Sequence, residues 1–271
     1  MLAGEPRADG LSEDGSDDHA EQDGRWSNMH LWVVSDHGHG SVEQHDDLAV
    51  LLRATGIRVR AHPWAMHPLS DVAVMVSGNA MAHVYLETWR RERPFWGTLR
   101  ARWNHLTGML LERPSVDLMI LPHSATKVEI RSLRRGTAII ERADQRYSYH
   151  PVDGDPLELG LVVGQSGEAT LAASSDGDYP DAIVQIMSLA GAERSGDVIL
   201  SAAPGWDFRS RHEPIHHQST HGALHRDHMR VPLLLNRRPV RKPLRTVDVM
   251  PSVLRALELG IPEGMDGTPF I

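Results

Sequence analysis

Histidine is the residue type with the most chemical potential in this chain: there are 17, and no cysteine. Without thiols, disulfides, thiolate metal sites and cysteine nucleophiles are excluded, and any metal site must be built from His, Asp and Glu. Such donors suit zinc, manganese or iron rather than softer metals. Nine of the 17 histidines fall in two short stretches. One holds His37, His39 and His45; the other holds His212, His216, His217, His221, His225 and His228.

The first stretch opens with Asp36-His37-Gly38, directly after the apolar run Leu31-Trp32-Val33-Val34. Ligands in open α/β sheets bind beyond the carboxyl ends of strands. Gly38 eases a turn there, so a carboxylate oxygen of Asp36 and an imidazole nitrogen of His37 can reach one cation. The competing reading makes Asp36 a turn cap and His37 a surface residue; the preceding strand balances the two. His39 and His45 read as outer or solvent-exposed neighbours. In the second stretch, His221-Gly222 in a loop before Val231–Leu235 is another candidate ligand position. His216-His217 reads as an incidental pair, and His225 and His228 as exposed. Asp207, Arg209 and Glu213 are candidates to orient ligands or to pair with one another, with surface solvation as their default.

These residues need strands and helices to hold them. Leu31–Val34 is a continuous apolar run, the pattern of a strand buried on both faces. Asp47–Ala54 has helical spacing and stops near Gly56. Strands are expected at 57–60, 72–76 and 81–86, the last two joined by a turn at Gly78-Asn79. Helices are expected at 99–111 and 179–189, and strands at 116–121, 137–141, 147–149, 197–202 and 231–235. A closing helix over 246–259 takes Thr246 as its N-cap and ends at Gly260. Alternating strands and helices predict an α/β sheet with flanking helices, and 115–172 reads as a small β-rich insertion.

The net charge of −8 is concentrated at the start, where residues 1–25 hold eight acids and two bases. Residues 1–28 read as an acidic, disordered leader, and 29–271 as the folded domain. The nearly neutral body argues against general nucleic-acid binding. No run of about 18 apolar residues is present, so no membrane span is expected. The first residues lack the pattern of a signal peptide, which points to the cytoplasm.

Three segments occur in a telling order. Ser35-Asp36-His37-Gly38 follows an apolar strand. Thr220-His221-Gly222 precedes Arg230-Val231-Pro232-Leu233. Thr246-Val247-Asp248-Val249-Met250-Pro251-Ser252 then leads to Gly264, Asp266 and Gly267. Together they resemble the C-terminal half of the alkaline phosphatase superfamily, in its type I phosphodiesterase and nucleotide pyrophosphatase branch. The resemblance implies an alkaline-phosphatase-like sheet and a two-metal phosphoester hydrolase, with zinc or alternatively manganese. It implies that Asp36 and His37 help to hold one metal and His221 the other. It also implies an upstream strand with a nucleophilic Thr or Ser, an early Asp, and an Asp-x-x-x-His motif. Only 34 residues precede Ser35, Gly15 stands where that motif would need Asp before His19, and Ser12, Ser16 and Ser27 lie in polar surroundings. The expectation is therefore a chain with half of the active site, no nucleophile of its own and little activity alone. A partner chain would supply the rest, and the substrate would be a small phosphoester or nucleotide. The alternative is a catalytically inactive relic or a metal-binding interaction module.

Overall fold

The computed structural model describes residues 29–62, 69–208, 213–242 and 245–271. The acidic leader, with its serines, lies outside the described residues, as do Arg209 and His212. Along the chain the elements run β1 (Trp32–Val34), β2 (Gly40–His45), α1 (Leu48–Ala54), β3 (Val59–Arg60), β4 (Val72–Ser77), β5 (Met81–Leu86) and α2 (Trp96–Leu111). Next come β6 (Val116–Ser124), β7 (Lys127–Ser132), β8 (Gly136–Ala143), β9 (Arg146–Gly154), β10 (Val162–Ser166), α3 (Gly167–Ser174) and α4 (Ala182–Gly191). The last are β11 (Val198–Ala202), β12 (Gly205–Asp207), β13 (Ser219–Thr220), α5 (Arg226–Met229), β14 (Leu233–Leu235) and α6 (Val249–Ala256). The architecture is mixed α/β, with a large mixed sheet and flanking helices. Among the described residues, no helix is long and apolar enough to cross a membrane. The described residues divide into two compact units, one of His37–Val231 and the other of residues 29–36 with Pro232–Ile271.

The larger unit is built on a nine-stranded sheet of order β10-β9-β8-β7-β6-β11-β5-β4-β3, antiparallel except for the β3–β4 pair. Alternation explains its centre. On β6, Met119 and Leu121 join a core with α1 and α2, including Leu52, Trp96, Leu99 and Leu110. Leu118 and Ile120 join a second core with α4, including Ile183, Ile186 and Met187. A strand with large apolar side chains on both faces must be interior to a covered sheet. This corrects the reading of 115–172 as a small insertion: its strands form one wing of the main sheet. α1 follows expectation, with Asp47 Oδ1 accepting from the Val50 amide at 3.0 Å as N-cap. A separate three-stranded sheet, β12-β2-β13, was not foreseen. Its strands are short and mostly polar, so they lack the alternation that marks a strand.

One buried charge sits at the edge of the central strand. Asp197, immediately before β11, accepts the Leu86 amide at 2.7 Å and lies 3.9 Å from Arg93 Nε. Arg93 is only a loose partner, because its terminal nitrogens donate to the Ala190, Ala192 and Gly196 carbonyls at 2.6–3.0 Å. Burial therefore dominates and raises the Asp197 carboxyl to about 6.

The smaller unit contradicts the expectation that Leu31–Val34 is buried on both faces. Among the described residues β1 pairs only with β14, antiparallel, with Val33 opposite Leu234. Val33 is 54% exposed and Leu234 61%. A ribbon of two three-residue strands covers little on its own, and among the described residues the Val33 side stays open while Trp32 on the other side packs on Phe270. The closing helix also differs. Arg245 precedes a 3-10 turn over Thr246–Asp248, and Asp248, not Thr246, caps the Arg245 amide at 3.3 Å. The helix ends at Ala256 with Leu257 as its C-cap, and Glu258 takes φ 55° before Gly260 is reached.

Two outcomes follow from these features. Between about pH 4 and pH 6 folded Asp197 keeps a proton that the unfolded chain releases, so its contribution falls as pH rises and stays low above pH 6. Asp197→Asn should stabilise the protein at pH 8, by on the order of 3 kcal/mol at most, and much less at pH 4.5; urea midpoints at the two pH values measure this. Replacing Val33 and Leu234 by Thr should lower self-association and binding of a hydrophobic dye, with sedimentation velocity as the measurement.

Candidate metal centre

Three imidazoles in the larger unit meet at one place. His37, His39 and His221 each present a ring nitrogen, and these atoms lie within 4.8 Å of one another. The His37 and His221 rings stack with centroids 3.7 Å apart and an interplanar angle of 3°. His39 stands edge-on to both, at 5.1 Å from His37 and 5.3 Å from His221. His37 Nδ1 donates to the Gly38 carbonyl at 3.0 Å, since a carbonyl oxygen can only accept. In the neutral ring the lone pair is then on Nε2. A set of imidazole donors in which a backbone carbonyl fixes the tautomer of one is the pattern of a transition-metal centre.

The backbone explains why these rings meet. The β4–β5 hairpin turns at Gly78-Asn79, with φ 57° and 61°, as the sequence predicted. Ser77 pairs with Met81, so the loop holds three residues, and positive φ at Gly78 and Asn79 turns the chain within it. The turn grips the Thr220-His221 segment. The Gly78 carbonyl accepts the His221 amide at 3.0 Å and the Thr220 hydroxyl at 2.8 Å, and Ala80 donates to the His221 carbonyl at 3.0 Å. A Cβ on Gly78 would stand 2.6 Å from the His221 carbonyl oxygen and 2.7 Å from its Nδ1. The other two rings come from the approach to β2, which pairs Ser41 and Gly40 with Ser219 and Thr220 of β13. Gly38 is pinned by a 2.9 Å bond to the His228 carbonyl, and a Cβ there would meet the Asp227 carbonyl oxygen at 2.1 Å.

Other candidates have different roles. Asp36 is exposed in the bend after β1, at the end of the smaller unit, and the converging trio takes His39 where the sequence pointed to Asp36. His228 is half-buried rather than exposed; its Nδ1 accepts the Ala223 amide at 3.0 Å, and burial lowers its pKa to about 4. It is a neutral buttress beneath β2. His225 caps α5 and is not exposed. His216 is exposed, with its ring 5.1 Å from that of His45. His45 and His217 both face the buried Asp207. The sequence signal for His39 is its spacing of two from His37 across a single glycine.

No protein-family model matches this chain, and no curated protein or solved structure matches it.

Gly78→Ala should destabilise the fold by about 1–2 kcal/mol through the left-handed backbone alone, and more through the clash with His221. It should also weaken zinc binding, whereas Gly56→Ala, where the space around the glycine is open, should not. Denaturant melts and zinc titrations of the two variants measure the difference.

Proposed function

We propose that this chain is the metal-holding part of a metal-dependent phosphoester hydrolase of the phosphodiesterase and nucleotide pyrophosphatase type, on an alkaline-phosphatase-like fold. The observation that carries the reading is the meeting of His37, from Ser-Asp-His-Gly, with His221, from Thr-His-Gly. The resemblance puts those two segments into a single two-metal centre. Imidazole donors favour zinc, with manganese as the weaker fit. A divalent ion there would supply positive charge to the non-bridging oxygens of a phosphoester. The chain's own residues orient and position: the Gly38 carbonyl sets the His37 tautomer, and the Gly78-Asn79 turn holds His221. The substrate of this reading is a small phosphoester or nucleotide.

A second reading, a metal-binding module without catalysis, has one observation in its favour. The hydroxyl next to His221, on Thr220, is buried and donates to the Gly78 carbonyl at 2.8 Å, which removes it as a nucleophile.

The test compares metal-free and zinc-loaded chain in binding a non-hydrolysable nucleotide analogue. Zinc should raise the affinity at least tenfold, and His37→Ala and His221→Ala should remove the gain. Equal binding with and without zinc would sink the hydrolase reading and leave the module. Rapid hydrolysis of bis(p-nitrophenyl) phosphate by the chain alone, lost in His221→Ala, would place the nucleophile within this chain.

A further inference from the structure

The ring geometry of the trio disagrees in one respect with a single ion shared by all three imidazoles. An imidazole binds a cation through a nitrogen lone pair that lies in the plane of its ring. The His37 and His221 rings are parallel to within 3°, with centroids 3.7 Å apart. Lines in two parallel planes never meet, so no ion lies along both lone pairs. The spacing gives the same answer. With Zn–N bonds of about 2.0–2.1 Å and tetrahedral angles, two imidazole centroids on one ion stand about 5 Å apart. His39 meets that spacing against both neighbours, at 5.1 Å from His37 and 5.3 Å from His221, with interplanar angles of 64° and 61°. The stacked pair does not.

The surroundings decide which ring of the stack yields. His37 Nδ1 donates to the Gly38 carbonyl at 3.0 Å, and Gly38 is itself fixed to the His228 carbonyl at 2.9 Å. A backbone carbonyl behind one imidazole nitrogen orients the ring as a ligand through the other. His221 is held differently, through its backbone: its amide donates to the Gly78 carbonyl and its carbonyl accepts from Ala80, both at 3.0 Å. Its ring lies beside Gly78, where an added Cβ would stand 2.7 Å from Nδ1 and 2.8 Å from Cε1. With the main chain clamped and a glycine at its flank, this ring can turn about its side-chain bonds while the loop stays in place.

We propose that His37 and His39 are the standing half of a divalent-cation site, and that the His221 ring turns out of its stack on His37 to become the third ligand. Capture of the ion exchanges a ring–ring contact for a metal bond. The contacts that His221 makes now are those it gives up. The site is thus a metal-operated latch between the approach to β2 and the Thr220-His221 segment. This inference rests on the metal-holding part of the reading above and not on hydrolysis.

The test loads the full chain with zinc chloride. X-ray absorption at the zinc edge counts the imidazoles on the ion, and long-range proton–nitrogen correlation spectra show which rings have changed. Three imidazoles are expected, with the His221 ring signals displaced and the His37 Nδ1 proton retained. His221→Phe keeps a flat ring in the stack without a donor, and should bind zinc through two imidazoles and about tenfold or more weakly. Two imidazoles on the wild-type ion, a count that needs no variant, would overturn the latch, as would unchanged zinc affinity in a folded His221→Phe. Loss of the His37 Nδ1 proton with zinc overturns the assignment of His221 as the ring that turns. No zinc binding overturns the latch and the metal-holding reading together. Three imidazoles with no gain in binding of the nucleotide analogue supports the latch and sinks the hydrolase reading alone.

Discussion

The candidate chemistry of the larger unit depends on one left-handed turn. Gly78 and Asn79 reverse the chain between β4 and β5, and their backbone groups hold Phe208 and the Thr220-His221 segment. Gly78 takes Thr220 and His221, Asn79 accepts the Phe208 amide at 2.7 Å, and Ala80 donates to the carbonyls' side of the same loop through His221. The side chain of Asn79 reaches His217. A hairpin tip ordinarily faces solvent and carries no long-range duty. This one anchors a loop more than a hundred residues away in the sequence. The close approach admits no side chain at Gly78, so turn geometry and site geometry impose the same residue.

The histidines divide by where their ring nitrogens go. His228 accepts a backbone amide, and burial keeps it neutral across the physiological range. His83 does the same for the Gly196 amide at 3.0 Å, and burial again lowers its pKa. Those two rings are structural, since their lone pairs are already engaged. His123 lies 3.0 Å from Glu129, a carboxylate that also holds Arg131. The trio is different because its rings face one another. Abundance of histidine therefore says little by itself. The informative property is a ring nitrogen turned towards other donors instead of towards a backbone group.

Much of the larger sheet was legible because its strands are apolar and its turns are marked. The runs at 72–76 and 81–86 with the glycine-asparagine turn locate the hairpin, and the helical spacing of Leu48, Leu51 and Leu52 locates α1. β7 carries a shorter alternation, in Val128 and Ile130, between charged residues. The β12-β2-β13 sheet was not legible, because its strands hold few apolar residues and pair across long stretches of chain. His37 and His221 could be singled out from their glycine neighbours. The bonds that tie Asp207 to His45 and His217 are tertiary facts, and residue type alone treats a carboxylate in a polar loop as solvated.

The smaller unit shows the opposite balance of forces. Its apolar side chains are largely on the surface: Val33, Val34, Leu234, Met250 and Leu257 are all exposed. What it buries is mainly a polar knot. Asp248 accepts the Thr268 amide at 2.8 Å and lies 3.0 Å from Arg241 Nη2. Ser252 donates to the Asp248 carbonyl at 2.6 Å and accepts the Phe270 amide at 2.9 Å. Phe270, fully buried, packs its ring 5.2 Å from that of Trp32. Hydrogen bonds of this kind contribute about 0.5–1.5 kcal/mol each, whereas breaking one in the interior leaves a costly unpaired group. Such a knot specifies a conformation more than it stabilises one. The Thr-Val-Asp-Val-Met-Pro-Ser segment and the closing Gly-Thr-Pro-Phe are thus explained by mutual pinning, with Asp248 and Ser252 as its two hubs. That account needs no metal and no substrate, so this part of the sequence pattern bears on folding rather than on chemistry.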